Sequence, residues 1–400
     1  MKNKRKVLRN KSILLGVTGG VSAYKAIDLI RRLREEGSSV TVIMTDAAKH
    51  FVTPLSLEVA SLNKVYSDLF SEPMSHITLP AQADVMIVAP ATANIIAKFA
   101  HGIADDFLST CLLSFSGKVV IAPSMNWRMY ENPAFQQNLN TLLTRRVTQV
   151  GPEKGTLACG EEGVGRMADT IDIIEAIKSS LTQKDLSHEK ILVTAGPTRE
   201  YLDPVRFLSN RSSGKMGYAV ARAALRRGAG VTLISGPSSL PQPKGVKFLA
   251  IETAADMLKA VKKEMDSSTV LIMSAAVSDF TPAEISQEKI EKHDTMLIRL
   301  NQTPDIISEA SKKKNKPFII GFAAETGSRI EHAKKKLREK KMDMIIFNDV
   351  TEAGSGFDVD TNKVVIIDKG KAIELPIMHK DSVADAILDR MIEIRTGIRN

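Results

Sequence analysis

The sequence predicts two doubly wound α/β domains, and three observations lead there. Short apolar runs alternate with helical patterns along the chain, two segments open alike, and a polar stretch separates the two series. Ser12–Val17 (SILLGV) reads as the first buried strand, followed by the turn Thr18-Gly19-Gly20 and a helical pattern from Ser22 to Glu36. Apolar runs Val40–Met44, Val85–Ala89 and Val119–Ala122 continue the series, with helical stretches between them. A helical pattern ends near Ser180, and Leu181–Lys190 (LTQKDLSHEK) is polar, so the domains are expected at 1–185 and 189–400. Lys190–Thr194 (KILVT) opens the second series, with the turn Ala195-Gly196-Pro197-Thr198 behind it. Val231–Ser235, Val270–Met273, Phe318–Ile320 and Met344–Phe347 repeat the rhythm, without a close sequence repeat. The lysine-rich segments Lys312–Lys314 and Lys334–Lys341 fall to helices and loops of this half. Such strings imply parallel sheets covered on both faces, with sites at the carboxyl ends of strands.

Composition narrows the function. The 400 residues are 43% hydrophobic and 25% charged, ordinary for a globular chain. The net charge of +9 fits nucleic acid, an anionic membrane or phosphorylated small molecules. Aromatics at 5% argue against a base-stacking binder, and no nucleic-acid motif is present. No run approaches the roughly 18 apolar residues of a membrane span. The basic start followed by the short run Ile13–Val17 reads as a tail entering a strand, not as a signal peptide. Two cysteines, Cys111 and Cys159, make no disulfide framework, so a cytoplasmic setting is expected, with neither nucleic acid nor membrane as partner.

In the first half, GVTGG between strand and helix can present backbone N–H groups to an anion, or be only a tight turn. It lacks the GxGxxG spacing, and Met44-Thr45 ends the next strand where a dinucleotide site has an acid. An NAD(P) oxidoreductase is therefore the second reading. Thr45 and the segment VAPATANIIAKFAHGIADD add hydroxyls and amides at further strand ends. His76 is a catalytic candidate, although a lone histidine is more often structural, and His50 and His101 have equal claims on composition. Asn126 follows a strand in APSMNWRMYENP, where a plain turn residue also fits. Cys159, flanked by glycines in GTLACGEEGVGRM, is expected to be exposed, and Cys111, in an apolar helical pattern, buried.

In the second half, Ser212-Ser213-Gly214 precedes a helical run Lys215–Arg227, which suits anion capture at a helix start, or a simple capped start. Asp279 follows a strand in SAAVSDF, where a metal–phosphate ligand can sit. Lys289 in QEKIEK is either a triphosphate contact or merely solvated. Lys336 and Lys340, four apart, share one helix face, as a phosphate grip or an ordinary charged face.

These strings resemble known families. GVTGGVSAYKA, the His76 segment, VAPATANIIAKFAHGIADD, APSMNWRMY and LACGEEGVGRM closely resemble the flavin-dependent cysteine decarboxylases, over most of residues 10–180. The resemblance implies a flavodoxin-like, flavin-binding domain with His76, Asn126 and Cys159 as reacting residues. It also implies FMN held by Gly19, Ser22, Thr45, Thr92 and Asn94. The usual PAMN is here PSMN, with Ser124 for alanine. DPVRFLSNRSSGKMG, AAVSDF, the EKI segment, TPDI, GFAAET and the lysine pair resemble phosphopantothenate–cysteine ligase over roughly residues 189–395. There the resemblance implies Asn210 and Lys289 as catalytic. It implies a CTP site of Met273, Ser274, Ala275, Asp279, Lys289, Thr303, Pro304, Asp305, Ile306, Phe322, Lys336 and Lys340, with Mg²⁺ on Asp279. Thr303 stands where the family often has asparagine.

Together the halves look like the bifunctional coenzyme A biosynthesis proteins of bacteria, with two Rossmann-like domains. The implied chemistry starts from 4′-phosphopantothenate, cysteine and CTP. The substrate carboxylate attacks the α-phosphate, giving an acyl-cytidylate that Asn210 holds while Lys289 neutralises the triphosphate. Cysteine's amine then displaces CMP. In the other half FMN oxidises the product's thiol, which gives the departing carbon dioxide an electron sink. His76 serves oxidation and decarboxylation, Asn126 binds the carboxylate, and Cys159 protonates the enethiolate while reduced FMN returns hydride, yielding 4′-phosphopantetheine. Homo-oligomers are implied, trimers of the flavin half and dimers of the ligase half.

Overall fold

Parallel pairing organises both halves of the chain. The computed structural model describes residues 7–397 apart from residues 293, 326, 328, 329, 350, 353 and 357. The chain divides into two compact units after Thr182. Among the described residues no helix is long and apolar enough to cross a membrane.

The first unit has strands β1 (Ser12–Val17), β2 (Ser39–Met44), β3 (Val65–Tyr66), β4 (Val85–Ala91), β5 (Lys118–Pro123) and β6 (Thr148–Gln149). They form one sheet in the order β3-β2-β1-β4-β5-β6, with every pair parallel. Its helices are α1 (Lys25–Glu35), α2 (Pro54–Ser61), α3 (Ser75–Gln82), α4 (Ala93–His101), α5 (Phe107–Ser114), α6 (Trp127–Tyr130), α7 (Pro133–Thr144) and α8 (Thr170–Leu181). Alternation along β1 sends Ile13, Leu15 and Val17 to one core with Ala26, Leu29, Ile30 and Leu33 of α1. Leu14 goes to the other face, with Leu108, Cys111 and Leu112 of α5. Both faces are thus covered, which explains why these strands read as continuous apolar runs. The helix expected from Ser22 begins as a 3₁₀ turn, Val21–Tyr24, before α1. An antiparallel hairpin of β7 (Glu153–Thr156) and β8 (Glu162–Arg166) stands apart from the sheet.

The second unit contains β9 (Lys190–Ala195), β10 (Arg199–Tyr201), β11 (Phe207–Ser209), α9 (Lys215–Arg226), β12 (Gly230–Ser235), β13 (Lys247–Ala250), α10 (Ala254–Glu264) and β14 (Val270–Met273). It continues with β15 (Phe280–Pro282), β16 (Leu300–Gln302), α11 (Ile306–Ser311), β17 (Phe318–Glu325), α12 (Ile330–Glu339) and β18 (Met344–Asp349). It closes with β19 (Thr361–Asn362), β20 (Val365–Asp368), β21 (Ala372–Glu374), β22 (Met378–His379) and α13 (Lys380–Thr396). The main sheet runs β13-β12-β9-β14-β17-β18-β20-β21. It is parallel as far as β18 and antiparallel beyond, which the apolar rhythm did not predict. Local chemistry makes that edge: Asp368 Oδ1 accepts from Gly370 N at 2.7 Å and Lys371 N at 3.0 Å, closing a tight turn between β20 and β21. The polar segment expected to separate the domains is also partly anchored. Leu186 is fully buried, and Asp185 pairs with Arg227 at 2.6 Å within the second unit.

In both units a buried threonine joins the first strand to its central neighbour at their carboxyl ends. Thr18 Oγ1 donates to Pro90 O at 2.7 Å and accepts from Thr92 N at 3.2 Å. Thr194 Oγ1 accepts from Ala275 N at 3.2 Å. Removing such a hydroxyl strands buried backbone groups, at about 1–3 kcal/mol. We predict that Thr18→Val costs stability in that range and lowers the calorimetric transition of the first unit. An unchanged transition would show that the hydroxyl is dispensable.

Candidate functional site

Two sites lie at strand ends, one in each unit. In the first, the segments after β1, β2 and β4 meet. A Cβ on Gly19 would strike the Ala47 Cβ at 2.4 Å and the Ala47 carbonyl carbon at 2.7 Å, and one on Gly20 would touch the Thr92 methyl at 3.7 Å, so the three turns lie together. Thr45 and Thr92 occupy N-cap positions, yet neither side chain caps its helix. Thr45 Oγ1 is buried without a hydrogen-bond partner, as is His76 Nδ1 on α3. Buried polar atoms are normally satisfied. These orphaned groups and uncapped N–H groups therefore fit a phosphorylated, hydrogen-bonding cofactor. Ser22 Oγ lies 2.8 Å from Ser124 Oγ, so the serine of PSMN borders the same turn. Asn94 is exposed in the first turn of α4.

Asn126 and Cys159 come together although they are 33 residues apart: Asn126 Nδ2 lies 3.4 Å from Cys159 Sγ. Asn126 caps α6 through Arg128 N at 2.9 Å, which fixes its side chain beyond the end of β5. Cys159 is exposed at the tip of the β7–β8 hairpin, as expected, and Cys111 is buried. Among the described residues, no hydrogen bond joins His76 to either Asn126 or Cys159; its carbonyl accepts from Ser114 Oγ at 2.8 Å. His101 Nε2 pairs with Asn138 Oδ1 at 2.9 Å, a surface contact, and His50 is exposed.

The second site is a cleft of about 570 Å³. It is lined by Asn210, Met273, Ser274, Ala275, Asp279, Thr303, Pro304, Asp305, Ile306, Phe322, Lys336 and Lys340, all singled out from the sequence. Lys289 is not among them: it is exposed on the segment between β15 and β16. That segment is tied next to it by Ile290 N, which donates to Asp203 Oδ2 at 3.2 Å. Asn210 Nδ2 donates to Val277 O at 3.0 Å, placing its amide against the strand-end loop. Thr303 Oγ1 donates to Ser278 O at 2.6 Å and Thr303 N to Asp279 O at 3.0 Å. Gly214 caps α9 at φ +78°, a backbone state that favours glycine. Among the described residues no three His, Cys, Asp or Glu side chains converge as a metal cage. A divalent ion on Asp279 would thus depend on ligand phosphates.

Cations ring this cleft. Lys336 pairs with Glu325 at 2.7 Å, Lys340 with Asp305 at 2.9 Å, and Lys215 with Asp360 at 2.8 Å. Burial pushes the Asp305 carboxyl up, but the bonds from Lys340 and Ser308 outweigh it and hold it below the usual carboxylate range. The sequence reading missed Asn348, Asn362 and Lys380, which also line the cleft. Asn348 lies at the carboxyl end of β18, a position the strand-end rule points to. Nothing in the spacing marks Lys380, the first residue of α13. Burial above all, then Lys215, pushes its ammonium down to about 8.

Comparison with known proteins covers both units. The family described as Flavoprotein matches residues 1–182, and the DNA/pantothenate metabolism flavoprotein C-terminal domain matches residues 186–394. The chain is 45% identical to the coenzyme A biosynthesis bifunctional protein CoaBC of Bacillus subtilis, over 98% of this chain and 100% of that protein. It is 44% identical to the protein of that name from Vibrio cholerae, over 95% and 98%. For the Escherichia coli (strain K12) protein the figures are 43%, over 96% and 97%.

The two thiols differ in a way that alkylation reads. Burial, then Asp106, pushes the Cys111 thiol up to about 12. At pH 8 we expect iodoacetamide to label Cys159 alone in the folded protein and both cysteines in denaturant. Equal labelling of Cys111 in the folded state would contradict the burial.

Proposed function

The chain belongs to the CoaBC family of bifunctional coenzyme A biosynthesis proteins, and from that premise we propose how its residues divide the work. It joins cysteine to phosphopantothenate and decarboxylates the phosphopantothenoylcysteine formed. The observation that carries the division is the contrast between the sites. The second is a cation-ringed cleft suited to phosphorylated reactants, and the first unit holds a thiol beside an amide together with orphaned polar atoms at Thr45 and His76.

In the second unit, CTP occupies the cleft between the loops after β14 and β17. Lys336 and Lys340 turn from Glu325 and Asp305 to its phosphates, and Asp279 would hold Mg²⁺, which would supply further positive charge there. The 4′-phosphopantothenate carboxylate attacks the α-phosphate and releases pyrophosphate. The Asn210 amide orients the acyl-cytidylate, whose carbonyl is then attacked by cysteine's amine as CMP leaves. Lys289, on its exposed segment, closes on the triphosphate. Preorganised charge at developing anions is the main catalytic effect available here.

In the first unit, FMN fits the turns of Gly19, Ser22, Thr45, Thr92 and Asn94, and when bound it supplies the oxidation and reduction that make decarboxylation feasible. Asn126 binds the substrate carboxylate. His76, with its orphaned Nδ1, holds or moves the thiol proton. Cys159 delivers the proton that replaces carbon dioxide. Trimers of this unit and dimers of the other are consistent with apolar exposure at Leu55, Val59 and Leu62, and at Ile285, Met296 and Leu297.

The assignment is tested with the full chain. Cys159→Ser is expected to end 4′-phosphopantetheine formation while phosphopantothenoylcysteine still accumulates from CTP, cysteine and phosphopantothenate. Loss of both activities in a folded variant would overturn the division. The purified protein should also release FMN on denaturation.

Lys380 gives a pH prediction. Folding depresses its pKa to about 8 from the ordinary 10.5, so the fold favours the neutral form. Its cost to stability is full below pH 8 and fades between 8 and 10.5, while its cleft charge is present below pH 8 and lost above. CTP affinity is expected to fall about tenfold between pH 7 and 9. Lys380→Arg should flatten that fall, and an unaltered profile in the variant would exclude Lys380 as its source.

A further inference from the structure

The β7–β8 hairpin is a two-stranded element outside the main sheet, and such hairpins are marginal alone. Something must hold its tip where Cys159 meets Asn126. One backbone bond does part of this, from Met125 N to Gly165 O at 3.0 Å. The flap backbone also abuts the body: a Cβ on Gly163 would strike the Trp127 side chain at 2.6 Å.

A further attachment converges on one carboxylate. Glu161 Oε2 accepts from Trp127 Nε1 at 2.8 Å, and Glu161 Oε1 pairs with Arg128 Nη2 at 2.8 Å. Cys159 Sγ lies 3.8 Å from Oε2 of the same group. Arg128 also lies over the Trp127 ring, 5.1 Å from its centroid. The turn bearing thiol and carboxylate is closed by Leu157 N donating to Glu161 O at 2.8 Å, with Gly160 at φ +83°. Trp127 and Arg128 directly follow Asn126, so one acid two residues beyond Cys159 grips the two residues beyond Asn126. The Trp127 indole first, and the Arg128 guanidinium, hold the Glu161 carboxyl below its usual range, so it stays an acceptor at neutral pH.

We propose that Glu161 is the latch of the flap: its carboxylate clasps Trp127 and Arg128 and so positions the Cys159 thiol against Asn126. Glu161 is a positioning residue. It accepts from the Cys159 thiol at 3.8 Å and acts by fixing that donor group, with no contact of its own assigned to substrate, and this role rests on the decarboxylase reading of the first site. The chemistry explains why an acid is needed. A carboxylate offers two acceptor oxygens, so it takes the indole N–H and the guanidinium together and still faces the thiol.

Trp127 is the sole tryptophan of the chain, so its emission reports the clasp without any turnover. Lys154 and Arg166 lie on the flap strands and make trypsin a second probe. In the full-length protein, Glu161→Ala is expected to shift the Trp127 emission maximum and speed flap cleavage about tenfold. The kcat of decarboxylation should fall by about tenfold to a hundredfold, as for a misplaced catalytic group, with KM nearly unchanged. Glu161→Gln keeps the size and one acceptor, and should restore the emission and much of kcat, with a far-ultraviolet circular dichroism spectrum like that of the parent. Unshifted emission and cleavage in Glu161→Ala would overturn the latch, as would undiminished kcat. A parent protein that binds flavin yet never decarboxylates would instead refute the reading of the site, and emission and cleavage would still decide the latch.

Discussion

A single threonine hydroxyl at the carboxyl end of the first strand is the constraint on which each unit rests. Where a doubly wound sheet reverses its order, the loops from neighbouring strands part and open a crevice. That crevice exposes backbone groups needing partners. Thr18 spans it from β1 to Pro90 and Thr92, and Thr194 spans the matching gap from β9 to Ala275. Both side chains are almost wholly buried, at 2% and 0% exposed, so their bonds are shielded from water. With the crevice edges tied, the loops beyond can hold polar groups unsatisfied, as at Thr45, without the strands drifting apart.

The two sites use that scaffold differently. The second concentrates cations, and three of them have an ion-pairing acid: Glu325 for Lys336, Asp305 for Lys340, Asp360 for Lys215. Partly exposed pairs of this kind contribute about 0–1 kcal/mol each. Exchanging such an acid for a phosphate therefore costs little, while the pairing keeps the lysines oriented. Lys380 differs, because burial has already weakened its hold on the proton.

The first site depends on geometry more than charge. Asn126 belongs to a loop fixed by β5 and α6, but Cys159 belongs to a hairpin with little core of its own. Glycines let the hairpin backbone lie against Met125 and Trp127, which larger residues would prevent. Polar clasps then set its position, and such contacts can open and close at small cost. A thiol carried on an element of that kind can shift with the groups it meets.

The sequence by itself determined the strand series, the polar stretch Leu181–Lys190 between its two halves, and the motifs carrying Asn126, Cys159 and most of the cation-ringed cleft. These were legible because burial on both sheet faces writes itself as short apolar runs, and because strand ends are where such folds place polar turns. Tertiary structure alone decided that Cys159 lies against Asn126, that Lys380 enters the cleft while Lys289 stays outside its lining, and that β20 and β21 extend the sheet antiparallel. Glu161 sat unremarked within a motif already read, because its importance lies in Trp127 and Arg128, more than thirty residues earlier. Periodicity records whether a residue is buried; which distant side chain it meets is set by crossovers and flap packing, which no local pattern encodes.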